Sequence, residues 1–275
     1  IRFSKELDYE DWKDRLLICR LDLKRLDLLE KFIDYLNKNI SHIDIIINNA
    51  AQTVRRPNDY YSNLIDNNLK EMQLLSNKFK VLISEFNRNN IENSYENTDI
   101  LQLVKSDTSV SKGANDYNSW VLRMDEISPL ELLEVQIINV TSPFLLNSKL
   151  KKLMINSPNM NRFIINVSSV EGLFSQKKKS RYHVHTNMAK AAVNMMTKTA
   201  SRDFAADRIY IYSVDPGWVS NQFPESWEGF KETDFEAPLD YLDAASRLCD
   251  PVYSYLRLDK PPYGEFYKDY NTVDW

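Results

Sequence analysis

The chain has 275 residues, 43% of them hydrophobic, and sets 35 Lys and Arg against 39 Asp and Glu for a formal net charge of -4. That length and apolar share suffice for a buried core, while the interleaved charges offer no basic stripe to nucleic acid and no polybasic membrane contact. No run approaches the roughly 18–20 apolar residues that span a bilayer and no charged-then-apolar leader opens the chain, so a cytoplasmic protein is expected. Cys19 and Cys249 lie far apart and lack metal-ligand spacing, which implies free thiols in a reducing compartment and no metal site. The sequons at Asn39, Asn139 and Asn166 read as coincidence, because the last two fall in apolar segments that should be buried.

In chain order, LLICRLDL (Leu16 to Leu23) is a short apolar run expected to form a strand, and LDLLEKFIDYL then places Leu29, Phe32, Ile33 and Leu36 at helical spacing. HIDIIINNA follows, with Ile45 to Ile47 as a β-branched continuous run, the pattern of a parallel strand covered on both faces. A strand, a helix and a strand make a βαβ unit. From about 53 to 119 the periodicity degrades into an Asn-rich stretch that reads as an insertion. SPLELLEVQIINVTSPFLLNSKLKKLM is a long helix opened by Ser128 and Pro129. RFIINVSS is a buried strand, TNMAKAAVNMMTKTASRDFA a helix, and RIYIYSVDPG a strand that ends in a Pro-Gly turn. This alternation predicts one α/β domain over 1–275, a Rossmann-like doubly wound parallel sheet, with a tail of 221–275 that carries one helical stretch. Its aromatic end, PPYGEFYKDYNTVDW, suits either a cover over the site or a subunit contact.

Four strand ends carry distinctive clusters: Asp22, Asn48-Asn49-Ala50, Ser168-Ser169 and Pro216-Gly217. Each alone is an ordinary turn residue. In this order, together with Asn139 in EVQIINVTSPF and Lys190 in AKAAVNMMTKTA, they resemble the short-chain dehydrogenase/reductase family from about Leu16 to Val219. The resemblance implies hydride transfer between a nicotinamide cofactor and a carbonyl or alcohol of unknown identity. It places Asp22 and Leu23 near the adenine, and Asn49, Ala50 and Ala51 along the adenosine ribose. Lys190 would sit at the nicotinamide ribose, lowering the pKa of the neighbouring acid. Ser169 would sit at the substrate carbonyl and Asn139 in the proton relay, while Pro216, Gly217 and Val219 would lie beside the carboxamide. A homodimer or homotetramer is a further implication of the resemblance.

Three departures qualify it. The glycine-rich phosphate loop and its strand are missing, and the whole chain has only 5 Gly, whereas such a loop works by letting backbone N–H groups approach a pyrophosphate. The sheet is therefore expected to be truncated at its N-terminal side, with an upstream segment or a partner chain completing it, and Arg2 is expected to favour the 2′-phosphate of NADP over NAD. Thr186 stands where the family has its catalytic tyrosine, and an aliphatic hydroxyl is far less acidic than a phenol. Tyr182, His183 and His185 are nearby substitute acids, His being able to titrate near neutral pH; a surface turn with an accidental aromatic cluster is the competing reading. The tail also departs from the family ending, with Asn221 where a threonine often caps the turn. Two functions stay open: an atypical oxidoreductase, or a catalytically silent scaffold used for nucleotide sensing or for assembly.

Overall fold

Where the backbone runs straight, its side chains alternate between two faces, and the computed structural model shows what each face meets. It describes residues 3–19, 21–54, 118–220, 222, 237–258 and 261–275; the expected insertion lies almost wholly outside them, as do Arg2, Asn221 and 223–236. The chain divides into two compact units, one formed by Ile1–Tyr35 with Arg56–Ser106 and the other by Leu36–Arg55 with Asp107–Trp275.

In the first unit, the one-turn helix α1 (Tyr9–Trp12) is flanked by 3-10 turns at Phe3–Lys5 and Lys13–Arg15. The Trp12 ring stands edge-on to Tyr9 at 5.2 Å and to Phe3 at 6.2 Å. Among the described residues of Leu16 to Leu23 the expected strand is reduced to a single bridge at Ile18, and Leu17 and Ile18 are exposed. The cause is Asp22, whose carboxylate accepts the Lys24 N–H at 3.0 Å while its carbonyl accepts the Arg25 N–H at 3.0 Å. That side-chain turn ends the extended run and leads into the next helix. Helix α2 (Leu26–Asn39) begins in this unit, ends in the second, and buries Leu29, Ile33 and Leu36 as its spacing predicts.

The second unit is built on a sheet of β1 (Ile45–Asn48), β2 (Arg162–Val167), β3 (Ile209–Asp215), β4 (Phe266–Lys268) and β5 (Asn271–Val273), in that spatial order. The first four run parallel and β5 returns antiparallel. Helices lie on both faces. Met154 of α4 (Ser142–Ile155) and Phe204 of α5 (Val184–Ala206) pack with Ile46, Ile164, Ile209 and Ile211 on one side. Leu248 of α6 (Tyr241–Leu258) packs with Phe163, Ile165, Tyr212 and Val214 on the other. This is the Rossmann-like doubly wound α/β architecture that the alternating pattern implies. Among the described residues no helix is long and apolar enough to cross a membrane.

The sequence misjudges one part of this unit and leaves a second unread. The β1 run is not covered on both faces: Ile46 is packed, but Ile45 and Ile47 stay 45% and 47% exposed. Alternation sends these two to the face of α6, whose packing partners are β2 and β3. The aromatic tail, in turn, is a hairpin added to β3. Asp269 and Tyr270 both take positive φ, 47° and 67°, as a two-residue turn of the tightest kind requires. Asp-Tyr lacks the glycine that usually announces such a turn, so composition alone hides it.

The long helix expected after Ser128 is present with a defect that matters. The Ser128 hydroxyl accepts the Glu131 N–H at 3.2 Å and opens α3 (Pro129–Gln136). Between α3 and α4 the chain makes a π-turn, Ile137–Thr141, closed by the Ser142 N–H on the Ile137 carbonyl. Pro143 explains it, since proline cannot donate to the carbonyl four residues earlier, that of Asn139, and its ring crowds that oxygen.

Candidate active site

Three parallel strands end together, and the residues singled out from the sequence follow those ends. Beyond β1, Asn49, Ala50 and Ala51 form an exposed segment. It is fixed one residue later, where buried Asn139, carried on the π-turn, accepts the Gln52 N–H at 2.7 Å and donates to the Gln52 carbonyl at 2.8 Å. A side-chain amide that satisfies both backbone groups of one residue acts as an artificial strand pair. The π-turn thus aims Asn139 at the chain beyond β1.

Below this level the sheet carries a buried polar row. Asn48, Asn166 and Ser213 are in register across β1, β2 and β3. The Asn48 amide donates to Asn166 and to Asn147 of α4, both at 2.8 Å; Asn166 donates to the Thr197 hydroxyl of α5 at 2.8 Å, and Ser213 donates to the same hydroxyl at 2.8 Å. Such a row is stable only with its partners in place, so it pins strand register directly beneath the site.

After β2, buried Ser168 donates to Asn194 of α5 at 2.6 Å. Ser169 caps a 3-10 turn, Val170–Gly172, its hydroxyl accepting the Glu171 N–H at 3.2 Å. Gly172 lets this turn lie directly on α5, where a β-carbon would stand 2.5 Å from the Lys190 carbonyl carbon. Lys190 is only 6% exposed, and its ammonium donates to the Val167 carbonyl at 3.0 Å. Burial pushes its pKa down to about 8, against which the charge of Asp215 acts.

The start of α5 is held by His183, which sits at φ 44° and stacks on Trp120 at 4.0 Å with its Nδ1 donating to the Trp120 carbonyl at 2.9 Å. Glu171 lies 3.9 Å from His183 Nε2, and that imidazole together with Lys179 holds its carboxylate below the usual range. Thr186, buried, points its hydroxyl at the Thr53 carbonyl at 3.4 Å. His185 is 2% exposed and turns toward Glu131 of α3 at 3.7 Å, with neither ring nitrogen hydrogen-bonded among the described residues. Tyr182 is half-buried and its hydroxyl accepts from Arg181 at 3.0 Å.

After β3, Gly217 turns at φ 85°, its N–H donating to Asp215 at 2.7 Å, and Val219 follows half-buried. The strand ends thus gather Asn139, Ser169, Thr186, Lys190 and Gly217 on one unit. Asp22 and Leu23 belong to the first unit, in the turn before α2. Asp215 was missed by sequence reasoning, although an Asp ahead of Pro-Gly is itself a turn-capping signal.

In a doubly wound sheet ligands bind outside the carboxyl ends of the strands, which is where these polar side chains converge. Comparison with known proteins adds to this. The short chain dehydrogenase family model matches residues 113–230, the stretch that holds Asn139, Ser169, Lys190 and Pro216-Gly217, in agreement with the resemblance drawn from those motifs. The fold is shared with carbonyl reductase Sniffer of D. melanogaster, at 18% identity over 93% of this chain and 77% of that one, TM-score 0.54. It is shared equally with the NADPH-bound carbonyl reductase of chicken fatty liver, at 15% identity over 99% and 84%, TM-score 0.55. An uncharacterised protein of Acanthamoeba polyphaga mimivirus is 26% identical over 98% of this chain but 57% of its own length. The chain therefore spans little more than half of that relative.

Proposed function

We propose that the protein is an NAD(P)-dependent oxidoreductase of the short-chain dehydrogenase/reductase type that acts on a carbonyl or alcohol, with NADP favoured. The observation that carries this reading is Lys190. Burying an ammonium costs stability, yet Lys190, only 6% exposed, is kept behind the Ser169 turn with its charge on the Val167 carbonyl. Carbonyl reductases of similar fold include one with bound NADPH, which supports the choice of cofactor. The residues fit the nicotinamide half of such a cofactor: Lys190 for its ribose, and the Pro216-Gly217 turn with Val219 for its carboxamide. The pyrophosphate half has no glycine-rich turn in these 275 residues, so an upstream segment or a partner chain supplies it in this reading. The bound cofactor would supply the hydride. Ser169 would hold the substrate oxygen, and the charge of Lys190 would favour ionisation of whichever group delivers the proton.

Thr186 supports the second reading, a silent nucleotide-binding scaffold. Its hydroxyl faces the Thr53 carbonyl and has too high a pKa to act as the acid. An imidazole can serve as a general acid, but His185 turns toward Glu131. Calorimetric titration with NADPH and then NADH tests the common part: saturable binding with NADPH the tighter is expected, and no binding by this chain, either alone or extended upstream, overturns it. Thr186→Tyr separates the two readings. A gain of carbonyl reduction of about 100-fold, the scale of a restored general acid, is expected if the acid alone is missing; wild-type turnover that falls on His185→Ala instead marks an active enzyme with a substitute acid.

A further inference from the structure

A turn-capping carboxylate needs one oxygen. At the end of β3, Asp215 uses two, on different segments of chain. One accepts the Gly217 N–H at 2.7 Å within its own Asp-Pro-Gly turn. The other accepts the Val170 N–H at 2.7 Å, in the turn immediately after Ser169 beyond β2. The side chain is buried, and its backbone is held on the far side by the register with Lys268 of β4. Nearby Arg247, whose Nε lies 3.5 Å from where a β-carbon on Gly217 would stand, pairs with Asp243 and Asp269. The carboxylate thus joins the two loops that carry Ser169 and Gly217, and its charge opposes the effect of burial on Lys190.

We propose that Asp215 is the positioning residue of this site, fixing the spacing between the Ser169 turn and the Pro216-Gly217 turn and serving as the electrostatic partner of Lys190. Two charge-assisted bonds to backbone N–H groups are stronger than neutral ones and directional, so they set the distance between the two loops. Asparagine in this place has one oxygen and an NH2 that cannot accept, so it releases one of the two N–H groups and removes the charge. Glutamate keeps the charge but is one methylene too long for both bonds at once. The role rests on the proposed reading of Lys190 as the cofactor-ribose group. Its test is made on the protein without nucleotide, so a failure of NADPH to bind and a failure of this role are told apart.

The test is an NMR titration of the Lys190 side chain together with amide exchange at Val170 and Gly217, in wild type and Asp215→Asn. The expected result is a Lys190 acid dissociation constant raised by about tenfold in the variant, on the scale of one lost neighbouring charge, with exchange accelerated at least about tenfold at one of the two amides. The proposal requires both. An unmoved Lys190 titration makes Asp215 a turn cap alone and overturns it, and so does full protection at both amides. Should Asp215→Asn fail to fold, Asp215→Glu decides: exchange faster at one amide with the Lys190 titration unchanged supports the role, and a Lys190 titration that moves, or two amides that stay protected, overturns it.

Discussion

Gly172→Ala is expected to destabilise the protein by about 3 kcal/mol, which for a chain of this size lowers the thermal midpoint by on the order of 10 °C. Gly172 has no unusual backbone conformation to protect; the effect is steric. A methyl group there would stand 2.5 Å from the Lys190 carbonyl carbon, 2.7 Å from the Ala191 nitrogen and 2.8 Å from the Lys190 β-carbon. No flexible side-chain tip is available to move aside, so either α5 or the Ser169 turn must shift. Because α5 also carries Thr197, which receives the bonds from Asn166 and Ser213, a shift there strains the polar row under the site. Thermal unfolding measures the first effect and NADPH titration the second, since a displaced Lys190 should bind nucleotide more weakly. A midpoint within about 1 °C of wild type would mean that the turn and the helix are not in the contact described here.

The sequence revealed most where one element carried two signals at once. Strands β2 and β3 were legible because their apolar runs are bounded by Ser-Ser and Pro-Gly, and α5 because its helical spacing coincides with the AKAAVNMM motif. Leu16 to Leu23 had only the apolar run, and the Asp22 side chain redirected it through a hydrogen bond that no periodicity records. The hairpin of β4 and β5 was hidden because Asp269 and Tyr270 adopt positive φ without glycine. In the candidate site, residues with family motifs were singled out from the sequence and those that act through the backbone were not: Gln52 and Asp215 matter by where their polar groups point. The π-turn belongs with these. Pro143 is visible in the sequence, but the lengthened turn by which the helix accommodates it, and which presents Asn139, is a tertiary outcome.

Lys190→Met should make the protein more stable near neutral pH while abolishing nucleotide binding. The native pKa of Lys190, about 8, lies below its ordinary value of 10.5, so the folded state disfavours the charged form by about 3 kcal/mol at pH 7. Below pH 8 both folded and unfolded chains hold the proton, and this cost is fully present. Between pH 8 and 10.5 the folded chain has released it while the unfolded chain has not; stability from this group therefore rises with pH, and above 10.5 the cost is gone. Methionine fills similar volume without charge and forgoes the bond to the Val167 carbonyl, worth about 1 kcal/mol. The net expectation is a variant more stable by about 2 kcal/mol at pH 7, with the gap closing and reversing as pH passes from 8 to 10.5. Denaturant unfolding of both proteins across that range measures it. A variant less stable than wild type at pH 7 would mean that Asp215 and the Val167 carbonyl more than offset the cost of burial, and Lys190 would then be a structural ion rather than a charge retained at the expense of stability for a ligand.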